Sequence, residues 1–119
     1  MTKTYLVPSS VTDLFSQAHT LELYEALLLQ VTKDFRLANI ELDIKQDEIP
    51  EIVFNKTQDK VFSLIQHDFA TYLNLLYIID VSEDQIKKLD GSNIVELSNI
   101  ITFLILKREW QKVWFKKHY

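Results

Sequence analysis

The stretch TLELYEALLLQVTKDFRLA, residues 20–38, decides the class of this protein. Leu21, Tyr24, Leu27, Leu28, Val31, Phe35 and Ala38 recur at spacings of three and four, which aligns them along one side of a helix. Thr20 is positioned to cap its start, and Glu22 falls in the first turn, where the helix dipole favours a negative charge. The spacing predicts a helix over about 20–38.

The rest of the chain suits the same architecture. Gly91 is the one glycine, and Pro8 and Pro50 are the two prolines, in 119 residues. Tight hairpins usually need glycine at positions of positive φ, so a fold rich in β-turns is hard to build from this composition. Hydrophobic residues make up 47% of the chain, enough for one core, and the length predicts one domain over residues 1–119.

Toward the N-terminus, Ser10 can cap a short helix over about 10–18, with Val11, Leu14 and Phe15 as its apolar side. Beyond Ala38, residues 40–45 alternate apolar and charged side chains, which is strand period. They form either a short hairpin with residues 52–54 or an acidic loop whose Ile40, Leu42 and Ile44 tuck onto the bundle.

Pro50 suits a first helical turn, where its missing N–H is no loss. It opens a predicted helix to about 79, with Val53, Thr57, Val61, Leu64, Ile65, Phe69, Tyr72, Leu76 and Ile79 as its stripe. Ser82 and Gln85 have the spacing of a capping box and open a short helix over about 83–89, with Gly91 supplying positive φ at its end. Asn93 and Glu96 repeat that logic for a last helix over about 93–117. The expected fold is all-α: a helical bundle of three long helices, about 20–38, 50–79 and 93–117, with two short ones, about 10–18 and 83–89.

Two stretches are apolar nearly all round, Tyr72–Ile79 and Ile100–Leu106, with Asn74 and Thr102 as their polar interruptions. Such a helix is either central to its bundle or covered by another chain. The excess is taken up by the short helices or forms a surface for self-association or a protein partner.

No catalytic or cofactor signature appears. The chain has no cysteine, which excludes disulfides, thiolate zinc sites and thiol nucleophiles. One glycine cannot build a phosphate-cradling loop, and no Gly-x-Ser-x-Gly elbow occurs. His19, Glu22 and Glu25 step round a helix instead of converging, His67 and Asp68 diverge, and His118 lies at the end. Asp43, Asp47, Glu48 and Glu51 lack the glycine and spacing of a calcium loop. No metal, no cofactor and no enzymatic activity are expected.

The net charge of −4 argues against a general nucleic-acid binder. The longest apolar runs fall far short of the roughly 20 residues that span a bilayer, and residues 1–8 lack the core of a secretory signal. A cytoplasmic location is the expectation.

The C-terminal segment has a charge sign of its own: Lys107, Arg108, Lys112, Lys116 and Lys117 stand against Glu109 alone. Trp110 and Trp114, at i and i+4, share a face among these cations. Lys107, Arg108, Trp110, Lys112, Trp114, Lys116 and Lys117 are therefore the candidate interaction surface, suited to an anionic ligand such as nucleic acid or anionic lipid. The same pattern also fits cations complementing a helix C-terminus and tryptophans packing inward, with the basic end lying against the protein's own acidic body.

Residues 74–83 (NLLYIIDVSE) and 105–115 (ILKREWQKVWF), with Lys33-Asp34-Phe35, resemble an uncharacterised group of short bacterial proteins of Bacteroidetes type. The resemblance covers about a quarter of the chain and implies a helical protein, with no activity and no site residues attached. The expected role is non-enzymatic contact with a protein partner or a second copy. The alternative is anionic-ligand binding through residues 107–117.

Overall fold

The computed structural model describes residues 4–119. Six helices follow one another: α1 (Val11–Thr20), α2 (Tyr24–Leu37), α3 (Pro50–His67), α4 (Phe69–Ile79), α5 (Glu83–Lys87) and α6 (Ile94–His118). The fold is all-α, and no strand occurs among the described residues.

Local chemistry at the helix starts follows the sequence. Ser10 Oγ accepts from the Asp13 N–H at 3.0 Å, and Asp13 in turn accepts from the Ser9 N–H at 2.9 Å. Pro50 occupies the first turn of α3, and Asn93 Oδ1 accepts from the Glu96 N–H at 3.1 Å to open α6.

The helix ends depart from it. Three of them close through left-handed residues that are not glycine: Glu22 (φ 57°), Asn39 (φ 62°) and Asp80 (φ 69°). In each case the next N–H reaches back five residues, from Leu23 to Ala18, Ile40 to Phe35 and Val81 to Leu76. The two apolar residues so joined are buried in every pair. This is the Schellman arrangement, in which a hydrophobic contact across the bond helps hold the left-handed residue in place.

Consequently α2 begins at Tyr24, and Thr20 is the last residue of α1 rather than a cap. Gly91, expected at positive φ, is not left-handed; Asp90 instead turns the chain by accepting from the N–H and hydroxyl of Ser92, at 2.9 and 3.0 Å. Ser82 makes no side-chain capping bond, and α5 stops at Lys87, short of the expected 89.

The largest correction is to the helix expected over 50–79, which is two helices. Asp68, at φ −151° and ψ 70°, leaves the helical region, and its carboxylate accepts from the N–H and hydroxyl of Thr71 at 3.2 and 2.7 Å. A side chain that caps the following turn competes with continuation of the preceding one. The stripe drawn through both halves holds except at the break. Val53, Thr57, Val61, Tyr72, Leu76 and Ile79 are buried, Leu64 and Ile65 are half-buried, and Phe69 alone turns out to solvent.

Residues 40–49 form the acidic loop. Ile40 and Leu42 are buried and Ile44 is half-buried, while Glu41, Asp43 and Lys45 face out. The period-two pattern thus describes burial along an extended segment without strand pairing. Lys56 ties this loop to α3, donating to the Asp43 carbonyl at 2.7 Å, and the Tyr24 hydroxyl donates to the Glu48 carbonyl.

α6 is the hub. It touches α1, α2, α3 and α4, and at 25 residues it extends about 38 Å at 1.5 Å per residue. Ile101, Ile105, Leu106 and Trp110 are fully buried on different sides of it, as a central helix requires. The apolar stretch Ile100–Leu106 is therefore largely absorbed by the fold, although Ile100 itself is exposed.

Candidate interaction surfaces

The basic, tryptophan-bearing end of α6 is divided by the fold. Trp110 is 0% exposed, and its indole N–H donates to Gln17 Oε1 on α1 at 3.2 Å. Trp114 is buried beneath Tyr5, whose ring meets it edge-on at 5.4 Å. Both indoles are core residues, which corrects their assignment to a surface.

Of the cations, Arg108 reaches Asp80, donating from Nε to its carbonyl and from Nη2 to its carboxylate, both at 3.2 Å. Lys112 donates to Asp34 Oδ2 on α2 at 2.9 Å. Lys107 lies 5.8 Å over the Phe103 ring. Lys116 and Lys117 face solvent. The face drawn from sequence is thus part core, part internal ion pair and part open surface.

Lys112 belongs to a buried polar group that single-residue inspection of the sequence does not reveal. Its Nζ also lies 3.1 Å from Glu109 Oε1, and Gln30 Nε2 donates to Asp34 Oδ2 at 3.1 Å. Burial is the main cause that pushes the Glu109 carboxyl up, to about 9, with the neighbouring Asp34 carboxylate adding to it against the opposing Lys112 charge. For Asp34 burial acts upward as well, but hydrogen bonds from Glu109, Lys112 and Gln30 outweigh it and hold its carboxyl below the usual range.

His19 and His118 sit in the last turns of α1 and α6, each with Nδ1 on the carbonyl four residues back, at 3.0 and 2.8 Å. Each ring stacks on an aromatic neighbour at 4.1 Å, Tyr24 and Trp114 respectively. These are helix-end contacts. Among the described residues no three His, Asp or Glu side chains converge as a metal site.

The outer face of α4 is different in kind. This helix carries no charged residue. Tyr72, Leu75, Leu76 and Ile79 point into the core, while Phe69 (54% exposed), Leu73 (51%) and Tyr77 (83%) face out at i, i+4 and i+8. Beside them runs a groove of about 660 Å³ between the end of α4 and α5, lined by Leu73, Leu76, Tyr77, Val81 and Ile86 and, at its polar edge, by Asp80, Ser82, Glu83 and Lys87. The excess of apolar residues in Tyr72–Ile79 is thus only half absorbed by the fold. Isolated exposed apolar residues are ordinary, but a stripe lining a groove is the usual mark of a contact surface.

A second groove, of about 350 Å³, lies between α2 and α6. Leu23, Ala26, Leu29 and Val113 form its apolar part, Lys33, Lys116 and Lys117 its cations, and no acidic residue lines it. Among the described residues no helix is long and apolar enough to cross a membrane. No family model, curated protein or solved structure matches the chain.

Proposed function

We propose that this protein is a non-enzymatic association module that pairs with a second copy of itself through the outer face of α4. The observation carrying this is the uncharged stripe Phe69, Leu73 and Tyr77 beside the α4–α5 groove. In a chain with 25% charged residues and a net charge of −4, an acidic or basic partner would be met by a charged face. The stripe itself is uncharged, and the groove beside it carries both signs, Asp80 and Glu83 with Lys87, so the face is suited to meeting a copy of itself.

Antiparallel pairing about a two-fold axis through Leu73 brings Phe69 of each copy beside Tyr77 and the groove of the other, the isologous arrangement of most homodimers. α4 is about 16 Å long at 1.5 Å per residue, so α5 and the groove walls are needed to approach the roughly 800 Å² per partner of a stable interface.

Light scattering tests this. The expected mass is twice 14.1 kDa, falling to 14.1 kDa in Leu73→Asp with helical circular dichroism retained. A monomeric wild type at high concentration would sink self-pairing and leave a different protein as the occupant.

The groove between α2 and α6 favours a second reading, contact with anionic lipid. An apolar floor with Lys33, Lys116 and Lys117 and without an acidic residue suits a headgroup phosphate above acyl carbons. Co-sedimentation with phosphatidylserine vesicles, lost in Lys116→Glu/Lys117→Glu, is the expected outcome. Equal association with neutral vesicles removes this reading.

A further inference from the structure

Glu109 has no exposed surface, and its carboxylate oxygens receive no well-aligned hydrogen bond: Lys112 Nζ lies 3.1 Å from Oε1 as an ion-pair contact, and Oε2 has no cation beside it. Charged groups reach it from two elements: Asp34 from α2 and Lys112 from one turn along α6. Elsewhere on α6, Arg108 pairs with Asp80 just past the end of α4 at 3.2 Å, with the carboxylate largely exposed, and the contacts to α1 and α3 are neutral. α1 presents Gln17 to Trp110, and α3 presents Gln58 to Ser98 at 2.8 Å.

Two carboxylates and one ammonium leave a surplus negative charge in a place where only Lys112 keeps some contact with water. A buried carboxylate short of donors is among the costliest states a folded chain can hold. One proton removes the surplus and supplies the missing donor at the same time. A protonated Glu109 carries an O–H that the Asp34 carboxylate can accept, while Lys112 and Gln30 occupy Asp34 Oδ2 at 2.9 and 3.1 Å.

We propose that Asp34, Glu109 and Lys112 form a proton-operated lock, in which one proton held between the two carboxyls keeps the C-terminal half of α6 docked on α2 and its loss to solvent in alkali releases it. The lock is independent of pairing through α4, which lies on other residues.

The high value for Glu109, about 9, agrees with this geometry. Because its folded-state value is raised above the ordinary 4.5, the stability it contributes is complete below 4.5 and is lost as pH rises toward and through about 9. Trp110 is its chain neighbour, so the lock carries its own optical reporter.

The test is a carbon-13 titration of the Glu109 carboxyl in the wild-type protein, with tryptophan fluorescence recorded over the same range. The carboxyl is expected to titrate near pH 9, with fluorescence changing at the same midpoint. In Glu109→Gln, whose amide donates to Asp34 at every pH, that fluorescence step is expected to vanish. A Glu109 carboxyl that titrates below pH 6 overturns the lock. So does a fluorescence step in Glu109→Gln identical to that of the wild type, or a titration near pH 9 with unchanged fluorescence. Should Glu109→Gln fail to fold, the wild-type titration and its fluorescence decide alone.

Discussion

Lys112 on α6 donates to Asp34 on α2 across 2.9 Å, joining positions 78 residues apart in the chain. The contact draws one cation of the basic C-terminal segment inward and makes it part of the core's electrostatics. Arg108 and Asp80 are also paired, at 3.2 Å, but there the carboxylate is largely exposed. Water screens the second pair far more than the first, whose Asp34 is buried.

This contrast gives the first prediction. Asp34→Ala removes the buried acceptor of Lys112 and Gln30 and leaves Lys112 with Glu109 alone, and the expected loss of stability is about 3 kcal/mol. Asp80→Asn keeps a side chain that tolerates the left-handed region and is expected to change stability by less than about 1 kcal/mol. Urea denaturation of the two variants checks the difference; equal losses would mean that the two pairs are equally solvated.

Glu22 and Asn39 occupy the left-handed region without the freedom of glycine. Neither side chain is buried. Glycine at Glu22 relieves a strain of about 1–2 kcal/mol, partly offset by a more flexible unfolded chain, whereas asparagine already tolerates this region. Glu22→Gly is expected to raise stability by about 0.5–1 kcal/mol, and Asn39→Gly to change it by less than about 0.5 kcal/mol. A fall in melting temperature for Glu22→Gly would contradict the strain.

Asp68 separates α3 from α4, and its hydrogen bonds from Thr71 hold its carboxyl below the ordinary 3.8. A depressed value means that its stabilising effect is present above 3.8 and fades as pH falls through the folded-state value. Asp68→Ala is therefore expected to melt lower than the wild type at pH 7 and to converge with it near pH 2. A gap that persists unchanged into acid would assign the effect to something other than the cap.

α6 as hub makes a sharp distinction between neighbours on one helix. Ile105 is fully buried and Ile100 is exposed. Ile105→Ala is expected to cost about 3 kcal/mol and Ile100→Ala under about 0.5 kcal/mol. Comparable costs would mean that Ile100 is covered in solution, which itself would point to a further contact surface.

Much of the fold was legible in the sequence because it rests on short-range chemistry. Ser10 and Asn93 open helices through bonds to residues three positions on, Pro50 opens one by its fixed φ and missing N–H, and the 3.6-residue period marks the stretches between. The break at Asp68 was not legible as a boundary, since the apolar period runs on through it and only the Asp-x-x-Thr spacing hints at a cap. The helix ends at Glu22, Asn39 and Asp80 were hidden for another reason: the expectation looked for glycine, whereas an apolar contact across each end holds a non-glycine residue there.

The candidate site was legible only in outline. Tryptophans and lysines at helical spacing read the same whether they face water or a core. The partners that decide the matter, Gln17, Asp34 and Asp80, lie on other helices. For Tyr72–Ile79 the apolar excess is visible in the sequence, but which residues face out depends on the turn at Asp68. Met1–Lys3 lie outside the described residues, so the expectation for the N-terminal leader extends beyond the structure.

Pairing of two copies through α4 is tested most directly by disulfide cross-linking, because the natural chain contains no cysteine. With a two-fold axis through Leu73, Leu73→Cys meets its own copy, whereas Val95→Cys, equally exposed on α6, lies on a different helix. Mild oxidation at low protein concentration is expected to convert Leu73→Cys to a covalent dimer while Val95→Cys remains monomeric. Cross-linking that is no faster at position 73 than at position 95 would contradict self-pairing through this face.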